Sequence, residues 1–375
     1  MKIPFTKINV CGGEIARVEE AVRLGHLHGD GAMTARCHEL IKAQTGCPLP
    51  LLTTSCTSAL DMAAMLCGIG EGDEVIVPSF TFVSTANAFA LRGARIAWCD
   101  VREDTLNIDE SKIESLITER TKAVVPVHYA GVACEMDAIM EIAARRGIRV
   151  VEDAAQGVGA YYRGRALGAI GDFGALSFHG TKNVTCGEGG AILVNRADDF
   201  LRAQIVREKG TNRTEFVNGK VDKYTWVDYG SSFLPSEITA AYLSVQLENC
   251  AGITRGRLAS WNFYFERLKP LADAGKFSLA SVPEGCAHNA HIFYLLANTP
   301  RDAKKIFARM KAAGVGASAH YGPLHISPMG RRLAAGVGRL PVSESAAERI
   351  VRLPIYSGIT EEEQLYVCSV LADAL

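Results

Sequence analysis

No two of the eleven cysteines stand in a C-x-x-C spacing, so neither a zinc ribbon nor a thioredoxin-like redox site has support. A dispersed, odd-numbered set in a chain of this length reads as idle or buried thiols in a reducing compartment. Long apolar runs are missing too. The longest uncharged stretch, Val75–Leu91, contains Pro78, Asn87 and several hydroxyls and makes a poor membrane span. Met1–Val10 lacks the apolar core of a signal peptide, and a cytoplasmic protein is expected. Neither sign of charge is in excess: 40 basic residues face 41 acidic ones. That balance offers no positive field for nucleic acid or an anionic membrane, so any nucleotide partner has to be a small ligand held by local groups. Other cofactor signatures fail on inspection. There is no GxxxxGK[ST] and no HExxH, and Gly157-Val158-Gly159 meets Tyr162 where a dinucleotide fingerprint needs its third glycine. His288 and His291 have a metal-compatible gap but no third partner nearby, and no metal site is expected.

What is present is ordinary globular material, 48% apolar and 22% charged, in 375 residues, enough for one large core and a smaller second one. After a helix carrying Ile15, Val18, Val22 and Leu24, and a second helix ending near Gly46, a strand–turn–helix plan repeats. Strands are expected at Leu49–Thr53, Val75–Val77, Arg95–Cys99, Ala123–Val127 and Ile148–Val151, with helices between them. Such alternation implies a mainly parallel sheet covered on both faces. From Lys276 the rhythm changes to short strands such as His291–Leu296 and helices such as Asp302–Ala313. The expectation is an α/β fold with a large domain over 1–250 and a smaller α+β domain over 251–375.

Chemistry concentrates at Phe173–Val194, FGALSFHGTKNVTCGEGGAILV. Lys182 lies between two short apolar runs, among Ser177, Thr181, Thr185 and the glycines 187, 189 and 190, which let backbone approach a ligand closely. A lysine held there away from bulk water deprotonates and attacks carbonyls, the behaviour of a Schiff-base lysine for pyridoxal phosphate; the alternative is a solvated surface charge. Upstream, TSCTSALDM follows a strand, so Thr57 and Ser58 stand where a helix N-terminus binds a phosphate, or simply cap that helix. Phe82, just past the next strand, is placed to stack on a flat ring or to join the core. Asp153, at the end of the strand before Lys182, is a candidate to keep a pyridine nitrogen protonated, with Gln156 one turn on for the ring oxygen. Between Asp153 and Lys182 the chain has room for one connection and one strand. Arg207–Arg213, REKGTNR, offers Lys209 and Arg213 to a diphosphate, and HYGPLH places His320 and Tyr321 on a loop that faces either the site or solvent.

Nearly the whole chain, from IPF at Ile3 to RLPIY at Arg352, resembles the nucleotide-sugar aminotransferases of the aspartate-aminotransferase fold (pyridoxal-phosphate fold type I), the match being carried by SFTFVSTANAFALRGA, VPVHYAGVACEMD, VVEDAAQG, SFHGTKN, REKGTNR and HYGPLH. They are most similar to the subgroup that forms dTDP-4-amino-4,6-dideoxygalactose. The resemblance implies a homodimer with active sites at the subunit interface, L-glutamate as amino donor and a dTDP-4-keto-6-deoxyhexose as acceptor. It implies the Schiff-base and proton-moving role for Lys182, the pyridinium partner in Asp153, ring contacts from Gln156 and Phe82, and phosphate contacts from Thr57, Ser58 and Ser177. Two departures stand out. Relatives commonly carry G-Y-N-Y, whose asparagine reaches the partner subunit's cofactor phosphate, where this chain has Gly230-Ser231-Ser232-Phe233; Ser232 either substitutes or the contact is lost. Gly180 stands where a larger polar residue is usual. Amine transfer to another keto-sugar or cyclic ketone, a lyase, and a non-catalytic cofactor-binding sensor remain the alternatives.

Overall fold

In the computed structural model, which describes residues 1–336 and 338–375, α1 (Glu14–Leu24) and α2 (Ala32–Thr45) each end at a glycine of positive φ, Gly25 and Gly46. Alternation follows: β1 (Leu49–Thr53), α3 (Cys56–Leu66), β2 (Glu74–Pro78), α4 (Val83–Ala90), β3 (Arg95–Cys99), α5 (Glu110–Leu116), β4 (Thr121–Val124), α6 (Met136–Arg146) and β5 (Arg149–Ala154). A ribbon of two-residue strands, β6 (Tyr161–Tyr162) and β7 (Arg165–Ala166), precedes β8 (Phe173–Ser177) and β9 (Gly190–Val194). Helices α7 (Phe200–Arg207), α8 (Arg213–Val217), α9 (Glu237–Glu248) and α10 (Cys250–Asp273) lead to β10 (Phe277–Leu279), β11 (Cys286–Ala287) and β12 (Phe293–Ala297). The chain closes with α11 (Pro300–Ala312), α12 (Pro328–Leu333), α13 (Pro341–Arg349), β13 (Ile350–Leu353) and α14 (Glu361–Ala372).

Seven strands form one sheet in the order β1-β9-β8-β5-β4-β2-β3. The pairs from β8 through β3 are parallel, while β9 runs antiparallel to both β8 and β1. Buried apolar residues cover both faces. Cys37, Ile139 and Leu243 from α2, α6 and α9 lie on one side, and Leu60 and Phe89 from α3 and α4 on the other. Two expectations need adjusting. The ribbon β6–β7 is an extra element between Asp153 and Lys182. Strand β5 also continues through Ala154, so Glu152 and Asp153 are strand residues whose side chains point to opposite faces. That alternation decides their different work.

A second, antiparallel sheet, β10-β12-β13, packs with α10, α11 and α14 around Tyr264, Phe293, Ile306 and Leu371. The N-terminal arm joins this core: Ile3 N donates to Gly314 O at 2.9 Å, and Ile3 O accepts from Gly316 N at 2.8 Å. In return, β11 pairs with β6, and Trp98 Nε1 on β3 donates to Gly330 O on α12 at 3.1 Å. The boundary expected at 250/251 falls one residue inside α10, whose N-cap, Asn249, also ends α9.

Candidate active site

A cleft of about 800 Å³ opens where the strands' C-terminal ends face the C-terminal sheet. Cys56, Asp153 and Lys182 line it from the large sheet, His320 and Arg352 from the C-terminal side, and Phe5 from the N-terminal arm.

Lys182 sits in the turn that reverses β8 into β9. Phe178 N donates to Gly189 O at 2.9 Å, Gly180 N to Gly187 O at 2.8 Å, and Lys182 N to His179 O at 2.9 Å, so the hairpin fixes the lysine's starting point. The start of β9 then touches the turn before α3 so closely that a Cβ on Gly190 would lie 2.3 Å from the Ser55 carbonyl carbon. Only glycine fits there. Burial pushes the Lys182 ammonium below its usual value, and the positive charge of Arg352 acts in the same direction, against the pull of Asp153. A neutral, nucleophilic amine is thereby favoured.

Above β1, the N-terminus of α3 points into the cleft through Ser55, Cys56 and Thr57. Free N–H groups and the helix dipole make this end an anion cradle. Thr57 Oγ1 lies 2.8 Å from Ser84 Oγ, and both residues line the cleft, as does Ser177. Ser58 is turned away from it. Its N–H donates to the N-cap hydroxyl of Ser55 at 3.0 Å, and its own hydroxyl lies 2.8 Å from Thr54 Oγ1. Burial drives the Cys56 thiol well above its ordinary pKa, reinforced by Asp153, and leaves it uncharged.

The Asp153 carboxylate is buried, accepting from Thr85 Oγ1 at 2.7 Å and Ala155 N at 3.1 Å. Gln156 accepts from Ala130 N at 2.7 Å and donates from Nε2 to Tyr321 OH at 3.1 Å, which aims its amide NH₂ toward the cleft. Phe82 is 57% exposed at the cleft wall, so it is no core residue within this chain. Beneath Asp153, Glu152 faces the other way and is fully enclosed. Its carboxylate accepts from His128 Nε2, Gly168 N, Ile170 N and Gly171 N at 2.8, 2.8, 2.7 and 2.6 Å.

His320 and Tyr321 do line the cleft, stacked at 4.0 Å, with His320 Nδ1 2.9 Å from Tyr129 OH. Burial, with Arg352 and Lys182 adding to it, lowers the His320 pKa to about 2, so this imidazole is neutral. Lys209 and Arg213 instead pair with Glu208, at 2.9 and 3.2 Å, outside the cleft lining. Ser232 is exposed beside Glu208 and also lies outside it. His291 bonds Asn183 Oδ1 at 2.9 Å while His288 packs edge-on against Trp261, so the two histidines part company.

Several lining groups carried no sequence signal. Arg257 donates to the carbonyls of Ala290, His291 and Ile355 and clamps that wall. Arg352 donates from one nitrogen to Ser318 Oγ and Ala319 O at 3.0 and 3.1 Å, lies 4.7 Å from the Phe5 ring centroid, and leaves Nε buried without a partner. No Asp or Glu among the described residues neutralises it. In the sequence Arg352 is only the first residue of RLPIY; only the fold turns this arginine inward.

Residues 11–372 match the DegT/DnrJ/EryC1/StrS aminotransferase family. The chain belongs to that family. It is 33% identical over 348 residues to an uncharacterized protein of Methanocaldococcus jannaschii, covering 90% of this chain and 88% of that one. Among solved structures, aminotransferase TlmJ of Streptoalloteichus hindustanus is 26% identical with a TM-score of 0.89, covering 100% of this chain and 99% of that one. DesV of S. venezuelae is 28% identical with a TM-score of 0.90, covering 99% and 98%. The fold is accordingly that of the type I pyridoxal-phosphate aminotransferases, and the protein is an aminotransferase dependent on that cofactor. The residues present suit the group: a depressed lysine, a buried carboxylate and a helix N-terminus ringed by hydroxyls face one cleft.

Proposed function

We propose that the protein moves the amino group of L-glutamate to C4 of a dTDP-4-keto-6-deoxyhexose, yielding the 4-amino sugar nucleotide and 2-oxoglutarate, as a cytoplasmic homodimer. The observation that carries the transfer chemistry is Lys182, its charge destabilised by burial, in one cleft with the Asp153 carboxylate. Bound pyridoxal phosphate would supply the electron sink that carbanion chemistry needs. Asp153 would pair with the ring nitrogen, Phe82 and Gln156 would orient the ring, and Ser55, Thr57 and Ser177 with the α3 N-terminus would hold the phosphate. Lys182 Nζ takes the α-proton of the donor and later delivers a proton to C4 of the sugar.

An amino-acid donor is supported by Arg352, a guanidinium without an acidic partner in the same cleft. The reacting carbon of an amino acid is bonded directly to its carboxylate, whereas in a 4-keto sugar nucleotide the diphosphate hangs from the far side of the ring. A cation close to Lys182 therefore suits the donor's carboxylate. A homodimer is supported by apolar side chains left uncovered on one chain: Ile15 is 68% exposed and Trp226 75%, and Val22, Leu24 and Tyr229 are also exposed. Ser232, exposed in one chain, is free to serve a partner's phosphate.

A single-turnover spectrum tests the reading. The lysine-dependent absorption band of the loaded enzyme should disappear with L-glutamate and return with dTDP-4-keto-6-deoxyglucose. Loss without return would keep amine transfer and reject this sugar. A Lys182→Ala protein with near-normal turnover would reject the assignment altogether.

A further inference from the structure

Two buried hydroxyls lie behind Asp153 that the chemistry above does not use. Thr85 Oγ1 is 2.7 Å from Asp153 Oδ2, and Thr81 Oγ1 is 2.8 Å from Thr85 Oγ1. The polarity of this chain follows from proton counting. An ionised carboxylate has no proton to give, so Thr85 donates to Asp153. A hydroxyl has one proton, so Thr81 must be the donor to Thr85. Thr85 is fully enclosed and Thr81 is 1% exposed, so water does not compete for either bond. The arrangement is tied to the fold at both ends. Thr85 stands in the first turn of α4, which starts at Phe82 without a side-chain cap, and Asp153 is held by backbone bonds to Pro126 O and from His128 N.

We propose that Thr85, backed by Thr81, is a positioning residue that fixes the orientation and ionisation of Asp153 for the cofactor's ring nitrogen, an assignment that rests on the role given to Asp153 above. With Oδ2 taken by the Thr85 hydroxyl, Oδ1, which accepts only the 3.1 Å bond from Ala155 N, is the oxygen that can face the ring. Donation from a buried hydroxyl stabilises the carboxylate over the carboxylic acid, and a charged carboxylate is what keeps the ring nitrogen protonated. Thr81, which lines the cleft itself, polarises Thr85 and strengthens its donation. A purely structural threonine would be replaceable by isosteric valine with no effect on the ring.

The test uses holoenzyme reconstituted with pyridoxal phosphate labelled with ¹⁵N in the ring, in wild type, Thr85→Val, Thr85→Ser and Thr81→Val. In wild type the ring nitrogen should stay protonated from pH 6 to 9. In Thr85→Val its deprotonation midpoint should fall by about one unit or more, and cofactor affinity by about tenfold to a hundredfold, the scale of one charge-assisted hydrogen bond. Thr85→Ser should restore both, and Thr81→Val should shift both in the same sense by less. A Thr85→Val protein whose ring signal and affinity stay within twofold of wild type overturns the proposal. Should Thr85→Val fail to fold, an unshifted Thr81→Val does so. Absence of a lysine-dependent band in wild type would be a different failure, that of the proposed function.

Discussion

Replacing Glu152 by glutamine tests how the strand that carries Asp153 is anchored. The carboxylate accepts four hydrogen bonds, two at each oxygen: Ile170 N and Gly171 N at Oε1, Gly168 N and His128 Nε2 at Oε2. His128 cannot reverse its part. Its Nδ1 accepts from Cys134 N at 3.1 Å, so the ring proton must sit on Nε2. A glutamine can present its oxygen to one pair of donors only, and its NH₂ then faces two further N–H groups whichever way it is turned. Each buried donor left unpaired costs roughly 1–3 kcal/mol, so the variant should lose about 2–6 kcal/mol. Against a total of about 5–15 kcal/mol that is a large fraction. Melting followed by circular dichroism should show a drop on the order of 3–8 °C. Urea titration should show a lower midpoint at unchanged slope. A variant within about 1 kcal/mol of wild type would refute the reasoning, because it would mean that the four donors find other partners or are not truly enclosed.

Arg352→Met should raise the glutamate concentration needed for half-maximal loss of the lysine-dependent band by about a hundredfold, the scale of a charge-assisted pair, while the sugar half-reaction changes by only a few-fold; an effect on the sugar half alone would assign the guanidinium to the diphosphate. Burial lowers His38 and His288 to about 4, so the fold keeps both neutral while the unfolded chain takes up protons below its own value near 6.5. The stability they contribute is present above that pH and lost as pH falls toward 4, about 2 kcal/mol each by pH 5; urea midpoints that do not fall between pH 7.5 and 5 would contradict it. Ile15→Asp with Val22→Asp should convert a dimer to monomers in light scattering, and a wild-type protein that is already monomeric would remove the basis for a shared site.

Much of the large sheet was legible because each strand is a short apolar run followed by a turn and a helix, and the period changes with the structure. Gly147, at φ 66, ends α6 as a left-handed glycine cap. The order of strands was not legible, since nothing local in Gly190–Val194 says that it runs antiparallel between β1 and β8. In the site, Lys182 announced itself by its small, glycine-rich neighbours and Asp153 by its place at the end of an apolar strand. Thr85 and Arg352 did not. A threonine in a helical turn and an arginine in a strand are ordinary residues in a sequence, and only long-range packing turns one onto a carboxylate and the other into a cleft. Helix α1 teaches a related lesson: its apolar residues Ile15, Val22 and Leu24 face outward, while Glu14 and Ala21 are the residues the chain buries. Periodicity reports an apolar face without saying whose surface covers it.

The threading of Ile3 between Gly314 and Gly316 has a consequence for how the protein comes off the ribosome. Ile3 finds its place late, because its partners Gly314 and Gly316 emerge roughly three hundred residues after it. The βα units from β2 through β5 can assemble in the meantime, since their strands pair with one another. Phe5, which forms part of the cleft wall, is then seated only when the C-terminal sheet closes around the arm. Until the C-terminal sheet is in place, Lys182 and Asp153 lie in a groove that lacks the walls supplied by Phe5, His320 and Arg352.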